Sequence, residues 1–334
     1  MSAVIEGLGG WLPPRLVTND ELSRRLDTTD AWIESRTGIR QRHVADGVST
    51  GEMAVHAAAR ALASAGRTDV DLLVLATTTP DRPCPATAPE VASALGLAGI
   101  PAFDISAVCT GFLYALATAA GFLSTPGVDR VLVVASEAFS TILDPADRGT
   151  VPIFGDGAGA VVLRRGEPDE VGALGDFVLG SDGKLADLIT VRGGGAAERT
   201  GALTANPADR FFQMRGREVF ADAVMRMTGA AADAMKLAGW NPTEVDWFIG
   251  HQANLRILHA VAEQLELPLE RLIVHLDQVG NTAAASIPLA LAHGQLSGRL
   301  QPGQRIVLAA FGGGATWGAT TLCWPALRPI DRIT

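Results

Sequence analysis

The sequence predicts an α/β fold made of two similar halves that meet at a shared site. Three observations predict it: helical and strand-like stretches alternate, a plan recurs in the second half at a constant offset, and glycine-rich turns follow the matching strands. Helices that alternate with buried β-branched strands argue for α/β layers. A repeat as long as half the chain means a duplicated domain and not a solenoid.

The first matching pair is "ALASAGRTDVDLLVLATTTPD" (61–81) and "AMKLAGWNPTEVDWFIGHQAN" (234–254). Each has an Ala-rich helical stretch, an Ala-Gly stop (Gly66, Gly239) and a Val-Asp pair ending at Asp71 or Asp246. An apolar strand and a polar loop follow, with strands expected at Leu72–Ala76 and Val245–Ile249. The second pair is "RVLVVA" (130–135) and "RIVLAA" (305–310), separated by the same offset as Asp71 and Asp246. Both lead towards glycine-rich stretches, "FGDGAGAVVL" (154–163) and "FGGGATWGATTL" (311–322). The first of these is expected to be a tight turn between packed strands, since it lacks the setting of a dinucleotide-binding turn. The halves are placed at 1–170 and 171–334.

Ile105 to Val128 carries no charge, a run long enough to span a bilayer. It is rich in Ala, Gly, Ser and Thr and closely bracketed by strands, so a helix buried on all sides at the protein's centre is expected, and no membrane span. The stretch 171–215 reads as loops and a short hairpin, either a surface connection or the wall of a substrate tunnel.

Composition narrows the function. Hydrophobic residues make up 48% and charged residues 19%, so much apolar surface must be hidden in an interior or at a subunit interface. A formal charge of −9 without any Lys/Arg run argues against general nucleic-acid binding. Three scattered cysteines, Cys84, Cys109 and Cys323, make neither a disulfide framework nor a zinc site, so no metal is expected and a reducing cytoplasm fits. "MSAVIEGLGGWLPP" lacks a positive n-region, and no secretion signal is expected.

Four stretches hold groups suited to chemistry. In "DISAVCTGFLYAL" (104–116), Cys109 falls where a strand ending near Ile105 turns into the apolar helix. A first helical turn has free N–H groups and a positive dipole end, which favour thiolate, the form that attacks acyl groups. Alternatively, Cys109 is an inert apolar filler. His251, in "GHQANLRI" (250–257), falls at the C-terminal end of its strand, where ligands gather in α/β sheets, or it merely satisfies a loop. Asn281, in "VGNTAAASIPLAL" (279–291), maps through the repeat onto Ser106, so it lies at the second half's counterpart of the cysteine turn. It suits either an N-cap or an amide facing the site. "FGGGATWG" (311–318) lets backbone N–H groups face a reacting oxygen.

These stretches together resemble the thiolase superfamily, and specifically the β-ketoacyl-acyl carrier protein synthase III family, over nearly the whole chain. The resemblance rests on "DAWIESRTGIRQRH" (30–43), "DISAVCTGF" (104–112), "DRGTVPIFGDGAGA" (147–160), "GHQANLRI", "GNTAAASIP" (280–288) and "AFGGGATWG" (310–318), in that order. It implies the five-layered αβαβα thiolase fold, a homodimer, and no cofactor beyond a coenzyme A thioester as substrate. By it, Cys109 takes an acyl group from acyl-CoA. Malonyl on an acyl carrier protein then loses carbon dioxide and attacks the thioester, in fatty-acid initiation or polyketide priming. His251 and Asn281 would donate hydrogen bonds to the enolate, and the N–H groups of Cys109 and Gly313 would form the oxyanion hole. Trp32, Arg36, Thr37, Arg148 and Asn254 match coenzyme A contacts. Arg256 and Arg217 are expected at the carrier-protein docking face.

The chain departs from that pattern in places. Cys84 falls where a bulky aromatic usually reaches the partner's acyl pocket, and Ala315 where a larger side chain often stands. Both imply room for a longer or branched acyl group. Ala221, Glu263 and Gln264 replace basic residues that would meet an acidic carrier. Another carrier, or acyl transfer to a carrier thiol, hydroxyl or amine without decarboxylation, is the alternative reading. A non-catalytic subunit is a third, which the retained cysteine opposes.

Overall fold

Near-continuous apolar strands build two large sheets, beside two small two-stranded ones, and small apolar residues build the helices between the large sheets. In the computed structural model, which describes residues 2–328, the first half runs β1 (Ser2–Trp11), β2 (Arg15–Thr18), α1 (Asn19–Ser23), α2 (Asp30–Thr37), β3 (Gln41–Val44), α3 (Thr50–Ala65), β4 (Leu72–Ala76), α4 (Ala88–Ala94), β5 (Ala102–Ile105), α5 (Gly111–Leu123), β6 (Arg130–Glu137) and β7 (Gly157–Gly166). There follow β8 (Val178–Ser181), β9 (Ile189–Thr190), α6 (Ala196–Arg199), β10 (Gln213–Met214), α7 (Gly216–Leu237), β11 (Trp247–Gly250), α8 (Leu255–Gln264), α9 (Leu276–Val279), α10 (Ser286–Leu296), β12 (Arg305–Gly312) and β13 (Thr316–Cys323).

One sheet has the order β1-β7-β6-β4-β5, the other β11-β12-β13-β8. In the first, β4 is parallel to β5 and β6, while β7 runs antiparallel to β6 and β1. In the second, β11 and β12 are parallel and β13 is antiparallel to its neighbours. Strand alternation assigns each side chain its layer. Leu72, Val74 and Ala76 join α5 and α10 in the central core, whereas Leu73 and Leu75 face α3 and α4. On the second sheet Ile306 and Leu308 point to the centre, and Val307 and Ala309 to α7 and α8. The layers are therefore α3/α4, sheet, α5/α10, sheet, α7/α8, which is the thiolase fold.

The Ala-Gly stops end helices as expected. Gly66 caps α3 at φ +66°, and Gly239, just past α7, has φ +69°, a conformation that favours glycine. Ser49 and Glu52 close a capping box at the start of α3.

Two expectations need correction. The chargeless stretch 105–128 is not one helix buried all round. Only Gly111–Leu123 is helical, and its outer side leaves Gly121 and Phe122 exposed. Composition marks a segment as apolar but does not tell how many of its sides a single chain covers. "FGDGAGA" is likewise not just a turn, since β7 begins at Gly157. A Cβ at Gly159 would lie 2.6 Å from the Cβ of Pro288, so its glycine is there to let α10 lie against the strand.

Candidate active site

The two helices of the central layer open with the same backbone device. Val108, just before Cys109, has φ +48°, and Ala283, its counterpart through the repeat, has φ +46°. Positive φ is costly for a β-branched residue, so the turn is strained where it presents the thiol. By the same offset Ala284 is the counterpart of Cys109. Glycine explains how the second sheet reaches the sulfur. A Cβ on Gly312 would lie 2.8 Å from the Cys109 backbone nitrogen and 2.9 Å from its Cβ. Gly313 follows directly at the end of β12, and its carbonyl accepts from the Thr316 hydroxyl at 3.1 Å. That hydroxyl also lies 2.6 Å from the Thr110 hydroxyl, tying the glycine turn to the cysteine turn.

Cys109, His251 and Asn281 line one cavity of about 40 Å³ together with Phe154, Ile189, Phe212, Met214 and Phe311. That is far below the ~300–1,000 Å³ of an open ligand pocket, so a long acyl chain enters only as these side chains move. All three candidate groups are buried. Burial pushes the Cys109 thiol up, the nearby Glu137 carboxylate pushes it further, and the residue's own backbone N–H pulls the other way. The expected thiolate at the helix mouth is thus not the resting state, because desolvation outweighs the N–H groups. Burial also lowers His251 to about 3, so the imidazole is neutral.

Neighbours decide which atoms are free to react. His251 Nδ1 lies 2.6 Å from the Ser286 hydroxyl, leaving Nε2 for the cavity. Asn281 Oδ1 accepts the Ala283 N–H at 2.9 Å, so its amide caps the turn with the oxygen and keeps its N–H donors for the cavity. The two readings of Asn281, cap and site amide, are compatible. Its position is fixed by bonds from Asn281 N–H to the Ile153 carbonyl and from Gly155 N–H to the Asn281 carbonyl.

The surface residues gather around α2 and the start of α8. Gly38, at φ +79°, would bring a Cβ to 2.6 Å from Leu255, so only glycine lets these helices meet. The Arg148 guanidinium lies 5.1 Å from the exposed Trp32 ring, and Arg36 is exposed on the same helix. Arg256 and Arg217 are exposed, and Arg256 lies 6.0 Å from the Phe220 ring.

Four of the expected residues bond within the chain or lie outside this cavity. Thr37 is buried, and its hydroxyl donates to the Ile33 carbonyl and accepts from the Ile39 N–H. Asn254 uses its amide on the Arg36 carbonyl and the Arg256 N–H. Cys84 is exposed on the loop between β4 and α4, away from the cavity wall. Ala315 is buried towards α7, because its peptide exchanges two hydrogen bonds with Asp182. The segment 171–215 does form a wall of the site, through Ile189, Phe212 and Met214. Sequence motifs do not single out these residues, and Ser286 and Gly312 lie inside quoted motifs that assign neither a task of its own. A larger groove of about 550 Å³ near Asp169 and Trp240 contains none of the candidate groups. Among the described residues, no group of three or more His, Cys, Asp or Glu is placed to hold a metal ion.

Five layers, with a thiol from one half meeting an imidazole and an amide from the other, define a condensing enzyme of the thiolase fold. The model of the 3-oxoacyl-[acyl-carrier-protein] synthase III family matches residues 103–183, and the model of its C-terminal part matches residues 235–324. The chain is 58% identical over 329 residues to beta-ketoacyl-[acyl-carrier-protein] synthase III 5 of Streptomyces coelicolor, covering 98% of this chain and 99% of the relative. It is 50% identical over 328 residues to beta-ketoacyl-[acyl-carrier-protein] synthase III of Pseudomonas aeruginosa, covering 98% of each. The crystal structure of 3-oxoacyl-(acyl carrier protein) synthase III from Pseudomonas aeruginosa PAO1 superposes with a TM-score of 0.93, covering 98% of this chain and 100% of that one at 50% identity. The priming beta-ketosynthase from the R1128 polyketide biosynthetic pathway gives 0.88 at 34% identity, covering 97% and 96%. The chain belongs to the 3-oxoacyl-[acyl-carrier-protein] synthase III family.

Proposed function

We propose that the protein joins an acyl-CoA starter to malonyl-acyl carrier protein with loss of carbon dioxide, giving a 3-oxoacyl carrier protein. In the first half-reaction, the Cys109 sulfur attacks the acyl carbonyl, its proton leaves with the departing coenzyme A sulfur, and a thioester forms. Backbone N–H groups of Cys109 and Gly313 stabilise the oxyanion. In the second, the bond to the malonyl carboxylate breaks and carbon dioxide leaves its electron pair behind. His251 Nε2–H and Asn281 Nδ2–H stabilise the resulting enolate, whose carbon attacks the Cys109 thioester. The sulfur departs and regains a proton. The observation that carries this reading is that the Asn281 oxygen is engaged, so that its amide N–H groups remain for the cavity, and that Ser286 holds His251 Nδ1, which turns Nε2 towards the same space.

The halves 1–170 and 171–334 divide the work on this reading, with the nucleophile from one and the donors from the other. Trp32, Arg36 and Arg148 grip the nucleotide of coenzyme A, a flat ring on a flat base and guanidinium groups on phosphates. Arg256 and Arg217 meet an acidic carrier. The uncovered edge of β5, beside the Phe103 and Phe122 rings, suits a second copy of the chain in a homodimer. No described helix is long and apolar enough to cross a membrane, and a cytoplasmic enzyme is proposed. Malonyl carrier protein labelled at its free carboxyl provides the test. Release of labelled carbon dioxide in step with 3-oxoacyl product supports condensation. Acyl transfer without release would establish the plain acyltransferase instead.

A further inference from the structure

A buried acid lies behind the nucleophile's turn, and neither half-reaction uses it. Glu137 ends β6 and is fully buried. One of its oxygens accepts from the Thr78 N–H and the Thr79 hydroxyl, each at 3.0 Å. The other is buried without a hydrogen-bond partner, the Ala284 N–H lying close by without normal bonding geometry. Among the described residues, no arginine, lysine or histidine forms an ion pair with it.

The internal repeat explains the placement. Glu137 corresponds to Gly312 through the same offset that relates Cys109 to Ala284. Gly312 leans on Cys109 in the working site, and Glu137 leans on Ala284 in the silent counterpart. The two turns touch, since a Cβ on Gly111, in the first turn after Cys109, would lie 3.2 Å from the Ala284 Cβ. The acid is therefore separated from the nucleophile's turn by the thickness of a single residue.

We propose that Glu137 acts on the reaction through Cys109: protonated, it leaves the thiol free to ionise and the enolate unopposed, and as it loses its proton it holds the thiol neutral. This rests on Cys109 as the nucleophile. The titratable groups facing the pair are Cys109 from the α5 turn and His251 from the end of β11. The loop after β4 and the Ala283–Ala285 turn bring hydroxyls, methyls and backbone. Burial raises Glu137 to about 7, whereas His251 titrates far below, so a change near neutrality belongs to the carboxyl. A carboxylate without a countercharge in a low-dielectric site repels a second anion.

The experiment follows alkylation of Cys109 by iodoacetamide from pH 5.5 to 9, read at peptide level by mass spectrometry so that Cys84 and Cys323 do not count. Thiolate alone reacts, so an isolated thiol gains about tenfold in rate per pH unit below its pKa. The native protein should do so up to about pH 7, flatten, and then climb again. Glu137→Gln should follow one straight line, coincide with the native protein below pH 6, and exceed it by about tenfold near pH 8.5, the effect of one pKa unit. A straight native profile, or two profiles offset equally at every pH, overturns the proposal, since a merely structural role would shift all pH values alike. Should Glu137→Gln not fold, the bend in the native profile decides alone. The same samples incubated with acyl-CoA separate the two readings. Failure of Cys109 to acylate at any pH would sink the proposed function, while normal acylation with an unbent alkylation profile would sink only the role of Glu137.

Discussion

Gly312→Ala is the smallest change that should disable the site. The new methyl would sit 2.8 Å from the Cys109 nitrogen, 2.9 Å from its Cβ and 3.2 Å from its Cα. Contacts between such atoms are comfortable at about 3.5 Å, so either β12 or the cysteine turn must retreat by about half an ångström. Both neighbours are backbone or backbone-proximal and cannot swing aside. Gly312 does not have a positive φ, so the substitution adds bulk without backbone strain. Overpacking of this kind costs about 1–3 kcal/mol. Transmitted to the reacting sulfur, that is a fall of ~5- to 150-fold in acylation rate. Gly229→Ala, on α7, is the control, because its Cβ would meet nothing within 4 Å. Intact-mass kinetics with acyl-CoA give the rate, and urea unfolding gives the stability. If Gly312→Ala acylates within about twofold of the native rate at unchanged stability, the described contact between the two halves is wrong.

Two further outcomes follow from buried groups. Ser286→Ala leaves His251 Nδ1 without its hydroxyl partner, and decarboxylation should slow by ~10-fold while Ser286→Thr retains it; equal rates for all three proteins would remove Ser286 from the account. Glu137 has a folded-state pKa raised to about 7 from 4.5, so it binds a proton more tightly when folded. Its contribution to stability is present below about pH 4.5 and is lost as pH rises through about 7, by about 3 kcal/mol. Glu137→Gln should therefore gain on the native protein by that amount between pH 4.5 and 8 in denaturant titrations, and a constant difference would contradict it.

Much of this is legible in the chain because the fold repeats itself. The constant offset between the halves places Cys109 and Asn281 at matching turns, and strand-end position singles out His251. What stays hidden depends on contacts between segments distant in sequence. Ser286 reads as one more small residue of a helix, and its hydroxyl matters only because β11 ends beside it. Glu137 looks like the polar end of a strand until the sheet and the second turn enclose it. The bonds of Thr37 are hidden too, because a motif says which residue is present but not which way its hydroxyl turns. Cys84 and Ala315 lie outside the cavity of a single chain, and the reach of Cys84 into a partner's pocket depends on a second copy that one chain's sequence does not place.

The central claim is that one sulfur holds the acyl group while donors from the opposite half open the malonyl unit. Asn281→Ala tests it most directly when both half-reactions are followed in one sample. The account predicts Cys109 acylated at close to the native rate, with carbon dioxide release from malonyl carrier protein reduced by ~100- to 1000-fold, the usual cost of one lost donor to a developing oxyanion. Loss of acylation together with decarboxylation, or release at the native rate, would contradict it.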